Sequence, residues 1–108
     1  MNEVDGSQFG LTARDMQTIR AIFAKYTEIT LVYVFGSRAK GNYRKGSDLD
    51  LAVMSPNIRE KIIRRLKNDF EESSLPFTVD LVHYPTLTHP GLKMHIESVG
   101  VSFYEKQG

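Results

Sequence analysis

The fold of this chain is decided by the stretch LVYVFGSRA, which spans residues 31–39. Its apolar part, from Leu31 to Phe35, is rich in β-branched and aromatic residues, as is typical of a buried strand. A strand that ends in Gly-Ser and then turns presents free backbone N–H groups and a hydroxyl, which are suited to holding phosphate. The stretch therefore predicts a central strand that leads into a phosphate-binding turn at Gly36 and Ser37.

A pair of aspartates lies on the next apolar segment. Ten residues separate Ser37 from Asp48, and Asp50 follows two positions later. Residues i and i+2 of a strand project from the same face, roughly 7 Å apart along it, so the two carboxylates point one way and the apolar residues between and after them point the other. Oxygen ligands placed in this way suit hard divalent cations such as Mg²⁺. A phosphate-binding turn beside a carboxylate pair indicates metal-dependent phosphoryl chemistry.

Hydrophobic periodicity predicts three helices. Thr12 and Asp15 form a capping box that opens the first helix. Its apolar residues recur at three- and four-residue steps: Met16, Ile19, Ile22, Phe23 and Tyr26. A second amphipathic helix is expected to start at residues 55–57, where Glu60 would complete a second capping box. A third helix is expected to open at residues 88–90.

The predicted strands alternate with these helices. They span residues 29–35, 48–54, 77–83 and 101–104. The segment 36–47 contains three glycines and is predicted to be a loop, and Gly100 is placed at the C-terminal cap of the third helix. This order predicts an α/β (α+β) fold, in which a small mixed β-sheet is flanked by helices.

The composition is that of an ordinary folded domain. Hydrophobic residues make up 41% of the chain and charged residues 25%, and 108 residues are enough for one domain with a single modest core. Residues 1–10 are polar and contain two glycines, so they predict a flexible N-terminal arm before a single domain at residues 11–108. No cysteine is present, so neither a disulfide framework nor a thiolate metal site is expected.

Charge and hydropathy limit the expected partners. A net charge of +1 is too balanced to indicate bulk nucleic-acid binding. No apolar run approaches the ~20 residues of a membrane span, and no basic leader opens the sequence, so the cytoplasm is the expected compartment. Nine of the 14 Lys and Arg residues lie between Arg38 and Lys67. They indicate a basic rim for a polyphosphate or for an acidic partner surface, or else a solvated helix face.

A third acid, Asp80, interrupts another predicted strand. A buried or half-buried carboxylate is costly unless a cation compensates it. Any one of these aspartates could instead cap a loop or pair with Arg38 or Lys40. The combination of Asp48 and Asp50 on one face, a third acid on a separate strand and a preceding phosphate-type turn favours a catalytic metal site.

Together these residues resemble the signature of the DNA-polymerase-β-like nucleotidyltransferase superfamily. The pattern consists of GSRAKG at residues 36–41 and SDLDL at residues 47–51, and Asp80 falls where the family carries its last catalytic carboxylate. Within the superfamily the chain is most similar to the minimal nucleotidyltransferase group, often abbreviated MNT, whose members are single domains of about this size. The resemblance extends from the first helix to the last strand and implies a polymerase-β-like nucleotidyltransferase fold.

The resemblance also implies an activity. A nucleoside monophosphate, with AMP from ATP as the favoured case, would be transferred to an acceptor hydroxyl. Asp48 and Asp50 would bind two Mg²⁺ ions, and Asp80 would join them at one metal, where it would either accept the proton of the hydroxyl or lower its pKa through the metal. Gly36 and Ser37 would hold the β- and γ-phosphates through backbone N–H groups and the hydroxyl.

Two alternative roles stay open for each of the other side chains near the motif. Ser47 either assists nucleotide binding or is a turn residue. Arg38 and Lys40 either neutralise triphosphate charge or lie on the rim of the site. The three histidines do not cluster as metal ligands would, and a surface or core position is expected for His83, His89 and His95.

The acceptor has no evident site in so short a chain, so another chain is expected to supply it. Minimal nucleotidyltransferases resemble the antitoxin half of two-component systems whose partner is an all-helical HEPN protein. This implies adenylylation of a tyrosine on such a partner, within a homo- or hetero-oligomer. Two alternatives stay open: a binding module that neutralises its partner by occlusion without catalysis, and a nucleotidyltransferase that acts on a small molecule such as an antibiotic.

Overall fold

Four strands form one sheet in the computed structural model, which describes residues 5–106. They are β1 (Leu31–Phe35), β2 (Leu49–Val53), β3 (Val79–His83) and β4 (Val101–Glu105). The spatial order is β3-β2-β1-β4. Strand β1 is antiparallel to both β2 and β4, whereas β2 and β3 are parallel. The predicted mixed sheet and its central first strand are therefore confirmed.

The helices are α1 (Ala13–Ala24), α2 (Gly36–Lys40), α3 (Glu60–Glu71) and α4 (Pro90–Val99). Short 3₁₀ turns lie at Ser7–Phe9 and Tyr84–Thr86. Within residues 5–106, no helix combines the length and apolarity that a membrane crossing requires.

The larger core lies between one face of the sheet and helices α1 and α3. Strand β2 contributes its fully buried apolar residues to this face: Leu49, Leu51 and Val53. The rings of Phe23 on α1 and Phe70 on α3 meet edge to face, with centroids 5.4 Å apart. Helix α4 covers part of the opposite face, where a smaller cluster is built around Phe35, Ala52 and Ile96.

Helix α1 begins as the sequence predicts. The Asp15 N–H donates to the Thr12 hydroxyl oxygen at 3.0 Å, and the Thr12 N–H donates to the Asp15 carboxylate at 3.0 Å, so both halves of the capping box are present. Four residues of the predicted stripe are buried: Met16, Ile19, Ile22 and Phe23. Tyr26 lies beyond the end of the helix, and its hydroxyl donates to Asp69 on α3.

The start of α3 was predicted wrongly. The helix begins at Glu60, and Arg59 is its N-cap without a side-chain hydrogen bond. Asn57 has a φ of 62° and lies outside the helix. The Ser55 hydroxyl oxygen, which was expected to help open the helix, instead accepts from the backbone N–H groups of Thr30 at 2.8 Å and Leu31 at 3.1 Å. Because the Ser55 hydroxyl is engaged in this tertiary contact, it does not cap the helix.

Two shorter segments also differ from the predictions. Residues 1–4 of the predicted arm lie outside the described part of the chain, but Phe9, in the next segment, is 2% exposed and packs against Phe103. Gly100 does cap α4, yet its φ of −64° is not left-handed. A Cβ at this position would lie 2.4 Å from the Ile96 carbonyl oxygen, so close packing requires glycine there.

Candidate active site

The junction between β1 and α2 forms the centre of the candidate site. Residues 36–40 were predicted to be loop, but they form a short helix that begins directly after the strand. Gly36 has a φ of 75°, and a Cβ added to it would lie 2.1 Å from the Asp50 Oδ2 atom. Only glycine therefore allows the carboxylate of β2 to lie against the start of this helix.

The first turn of α2 leaves backbone donors available. The first N–H groups of a helix have no partner within it, and Phe35, the N-cap, provides no side-chain cap. At the other end, the Ser37 carbonyl accepts from the N–H groups of Gly41 and Asn42, and the left-handed Gly41 ends the helix. The donors of the first turn thus lie beside the Asp50 carboxylate.

The parallel pairing of β2 and β3 brings the acids together. Asp50 pairs in register with Asp80, and Asp48 directly precedes β2. Asp50 is half-buried, whereas Asp48 and Asp80 are exposed. Burial, together with the negative charges of Asp80 and Asp48, raises the pKa of the Asp50 carboxyl to about 6. The site therefore concentrates negative charge, which the nearby positive charges of the protein only partly neutralise.

The donor chemistry fits a hard divalent cation. All three candidate ligands are carboxylates, and the raised pKa of Asp50 reflects first its burial and then repulsion by Asp80 and Asp48, which a bound cation would offset. Among the side chains of residues 5–106, no three carboxylates or imidazoles already form an assembled metal-binding cluster. Metal binding by Asp48, Asp50 and Asp80 remains a prediction.

Arg38 does not lie on the rim of the site, as one interpretation of the sequence required. Its side chain is buried, with a relative exposure of 3%. The guanidinium donates to the carbonyl oxygens of Ser47, at 2.7 and 3.1 Å, and of Phe9, at 2.8 Å. These bonds direct the charge to the backbone of two neighbouring segments and away from solvent, where a triphosphate would enter.

Ser47 also has a local role. Its hydroxyl accepts from the Arg44 N–H at 2.8 Å, and its own N–H donates to the Arg44 carbonyl at 3.0 Å. These are the contacts of a turn residue, and they favour that interpretation of Ser47. Lys40, at the end of α2, is exposed, which fits both interpretations of this residue: a cation that neutralises triphosphate charge and a residue on the rim.

The basic residues of α3 belong to a solvated face. Arg64 pairs with Glu60 on the same helix, and Arg59 just before the helix pairs with Glu28. These basic residues are exposed, as expected for the solvated-face interpretation of this part of the basic run.

His95 is the residue that sequence reasoning placed too far from the chemistry. Its ring meets Phe35 edge to face, with centroids 5.9 Å apart, and its charge lowers the pKa of Asp50 in part. The spacing of His95 could have indicated this position, because it lies three residues after the half-buried Leu92 and beside the buried Ile96 on α4. His89, in contrast, caps α4 by accepting from the Leu92 N–H.

Fold and site together define a nucleotidyltransferase domain. The model of the family described as "Polymerase beta, Nucleotidyltransferase" matches residues 17–108. The chain belongs to this family, which confirms the predicted fold and enzyme class.

A relative of known name indicates which group of the family the chain resembles. The chain is 35% identical over 102 residues to the "Probable protein adenylyltransferase MntA" of Haemophilus influenzae, and the alignment covers 94% of this chain and 89% of that protein. The match to MntA confirms the predicted similarity to the minimal nucleotidyltransferase group.

Two solved structures share the fold. A toxin–antitoxin structure with AMP-PNP has a TM-score of 0.67 at 23% identity, over 86% of this chain and 75% of that chain. The toxin–antitoxin structure MntA-HepT has a TM-score of 0.60 at 23% identity, over 85% of this chain and 71% of that chain.

Proposed function

We propose that this chain is a protein adenylyltransferase, which transfers AMP from ATP to a tyrosine hydroxyl of a helical HEPN-type partner and thereby acts as its antitoxin. The observation that carries the proposal is the register of Asp50 with Asp80 directly beside the start of α2. The name of the Haemophilus relative and the toxin–antitoxin nature of the two structures support it. We propose residues 11–108 as the catalytic domain and the cytoplasm as its compartment.

The three acids would have two roles in the reaction: metal binding and acceptance of a proton. Asp48, Asp50 and Asp80 would hold two Mg²⁺ ions, which supply charge neutralisation for the triphosphate and lower the pKa of the acceptor hydroxyl. The acceptor oxygen attacks the α-phosphorus of ATP, the bond from that phosphorus to the bridging oxygen breaks, and pyrophosphate leaves. Asp80, which is exposed at the open edge of the sheet, would accept the proton of the hydroxyl.

The start of α2 would hold the leaving group. The N–H groups of its first turn and the Ser37 hydroxyl are donors suited to the β- and γ-phosphates, and Gly36 allows close approach of the backbone. Lys40 would neutralise part of the triphosphate charge from the exposed end of the helix.

The double variant Asp48→Asn with Asp50→Asn tests the proposal. We expect transfer of AMP to the co-expressed partner to fall by about 10³-fold or more, because the variant removes several kcal/mol of charge stabilisation. The measurement is the intact mass of the partner after incubation with ATP and Mg²⁺. Glu71→Gln, which removes an exposed acid from α3, is the matched control and should leave transfer unchanged.

The same variant separates catalysis from occlusion. If it still binds the partner but no longer neutralises it, adenylylation is the neutralising event. Full neutralisation by the double variant would contradict the proposal and show that occlusion is sufficient.

A further inference from the structure

We propose that Arg38 is a positioning residue, which fixes the two acid-bearing segments, one with Asp48 and Asp50 and one with Asp80, relative to the start of α2 without contacting the nucleotide. This inference rests on the proposed function for its catalytic consequence. Its structural consequence, the ordering of the segment before Asp48, can be tested separately.

The first observation is that Arg38 is a buried cation whose described hydrogen-bond partners are all neutral carbonyl oxygens, although its charge also lowers the pKa of Asp50 in part. Its Nε and Nη2 atoms both donate to the Ser47 carbonyl oxygen, at 3.1 and 2.7 Å. Its Nη1 atom donates to the carbonyl oxygens of Phe9 at 2.8 Å and Gly10 at 3.4 Å. All three nitrogen atoms of the guanidinium thus donate to backbone oxygens, which leaves little capacity for a phosphate.

The second observation is where these partners lie in the chain. Ser47 immediately precedes Asp48, so the two bonds to its carbonyl fix the entry into β2. Arg38 itself lies two residues after Gly36 on α2. One side chain therefore connects the proposed phosphate-binding helix with the strand that carries Asp50, across a loop in which Gly41 and Gly46 both have a positive φ.

The third observation concerns the strand that carries Asp80. The guanidinium carbon lies 4.7 Å from the centroid of the Phe77 ring and 5.4 Å from that of Tyr43. Phe77 leads into β3, so Arg38 contacts the segment before each acid-bearing strand. Stacking on two rings also fixes the plane of the guanidinium.

A lysine cannot reproduce this arrangement. Its ammonium is a compact charge without the planar fork that places two donors on the Ser47 carbonyl and a third on Phe9. Arg38→Lys should therefore keep a buried cation but loosen the geometry of the acids. Misplacement by about 1 Å can cost about 10²-fold in rate.

The kinetic test compares Arg38→Lys with Arg64→Lys, a control in which the guanidinium is exposed and pairs only with Glu60 among the described ion pairs. For Arg38→Lys we expect kcat to fall by about 10²-fold while the KM for ATP changes by less than about threefold. A raised KM with unchanged kcat would overturn the proposal, because it would show that Arg38 binds the nucleotide. An unchanged kcat and KM would overturn it as well.

A milder variant keeps the test decisive if Arg38→Lys does not fold. Tyr43→Leu removes one of the two rings beside the guanidinium from a half-buried loop position, and Tyr43→Phe keeps the ring as its control. Tyr43→Leu should lower kcat by about fivefold at an unchanged KM for ATP, whereas Tyr43→Phe should match the parent. Equal kcat values for the two variants would contradict the proposal.

Hydrogen exchange tests the positioning without any reaction. In Arg38→Lys, or in Tyr43→Leu, the amides of residues 42–48 should exchange about tenfold faster than in the control, while those of α1 keep their protection. Unchanged exchange in residues 42–48 would overturn the positioning role. If the parent protein transfers no AMP, the proposed function fails, and the exchange result still decides the role of Arg38.

Discussion

The two faces of the sheet differ in what they contribute. Strand β2 shows the contrast within five residues: Leu51 points into the large core under α1 and α3, whereas Asp50 points to the opposite face beside Asp80. On the core face every contact favours folding. On the acidic face, burial and like charges raise the pKa of Asp50 to about 6, so at neutral pH its ionised form opposes folding.

Because successive side chains of β2 point to opposite faces, residues that stabilise the fold are separated from residues of the candidate site. Substitutions on the core face should change stability and leave the chemistry of the folded protein intact. Substitutions on the acidic face should weaken or abolish the chemistry, and removal of the Asp50 charge should raise stability rather than lower it. Four variants test how complete the separation is.

The largest effect on stability is expected for Leu51→Ala on the core face. Leu51 is 0% exposed, so its truncation leaves a cavity between β2 and the helices. We expect the free energy of unfolding to fall by about 3 kcal/mol, as measured by urea denaturation. The kcat of the folded fraction should change by less than about threefold; a loss of about 10²-fold would show that the faces are coupled.

Gly36→Ala tests the acidic face at its tightest contact. The added Cβ would lie 2.1 Å from the Asp50 Oδ2 atom, and the positive φ disfavours any side chain. We expect AMP transfer to fall by about 10²-fold because the carboxylate must move away from α2. Gly46→Ala is a matched control, since Gly46 also has a positive φ but no atom within 4 Å of its added Cβ. Equal losses for the two variants would show that backbone strain alone is responsible.

Asp50→Asn should stabilise the fold while it abolishes transfer. The native carboxyl, with a pKa of about 6 against an ordinary value of 3.8, binds more protons than the unfolded one between these values, so parent stability falls as pH rises through this window. At pH 8 the variant should be more stable by about 1–2 kcal/mol, after allowance for solvent screening. Thermal melts at pH 8 and pH 4 check this, because the advantage should disappear at the lower pH. A variant less stable than the parent at pH 8 would contradict the assigned repulsion.

The smallest effect on stability is expected at the start of α1. Thr12→Ala removes the side-chain oxygen that accepts from the Asp15 N–H, which should cost about 1 kcal/mol. Thr12→Ser keeps the capping box and should restore most of that stability. Chemical denaturation of the three proteins measures the difference, and unchanged transfer by the folded Thr12→Ala protein would sharpen the separation between fold and site.

The sequence was sufficient to predict the four strands. Each strand is a short apolar or β-branched run bounded by turn residues, and on β2 the alternation of Leu49 and Leu51 with Asp50 indicated both faces. The Thr12 capping box was predictable because its contacts are three residues apart in the chain. Local patterns carry this kind of information.

What could not be predicted depends on contacts between distant segments. Ser55 has the chemistry of a helix cap, but its hydroxyl is occupied by backbone N–H groups 24 and 25 residues earlier. Arg38 stands in a polar motif and gives no sign that it will be buried against Phe9 and Phe77. The five residues of α2 are too few to show a helical period, so the segment was predicted to be a loop.

The register of Asp50 with Asp80 has a consequence for the order of events during folding. Asp50 reaches Gly36 through the antiparallel pairing of β1 and β2, which closes a short loop, whereas Asp80 arrives only after the chain has crossed over through α3. Long-range parallel pairing is slow because the entropy of loop closure is lost before its contacts form. A partly folded chain is therefore expected to place Asp50 beside the start of α2 before Asp80 joins it.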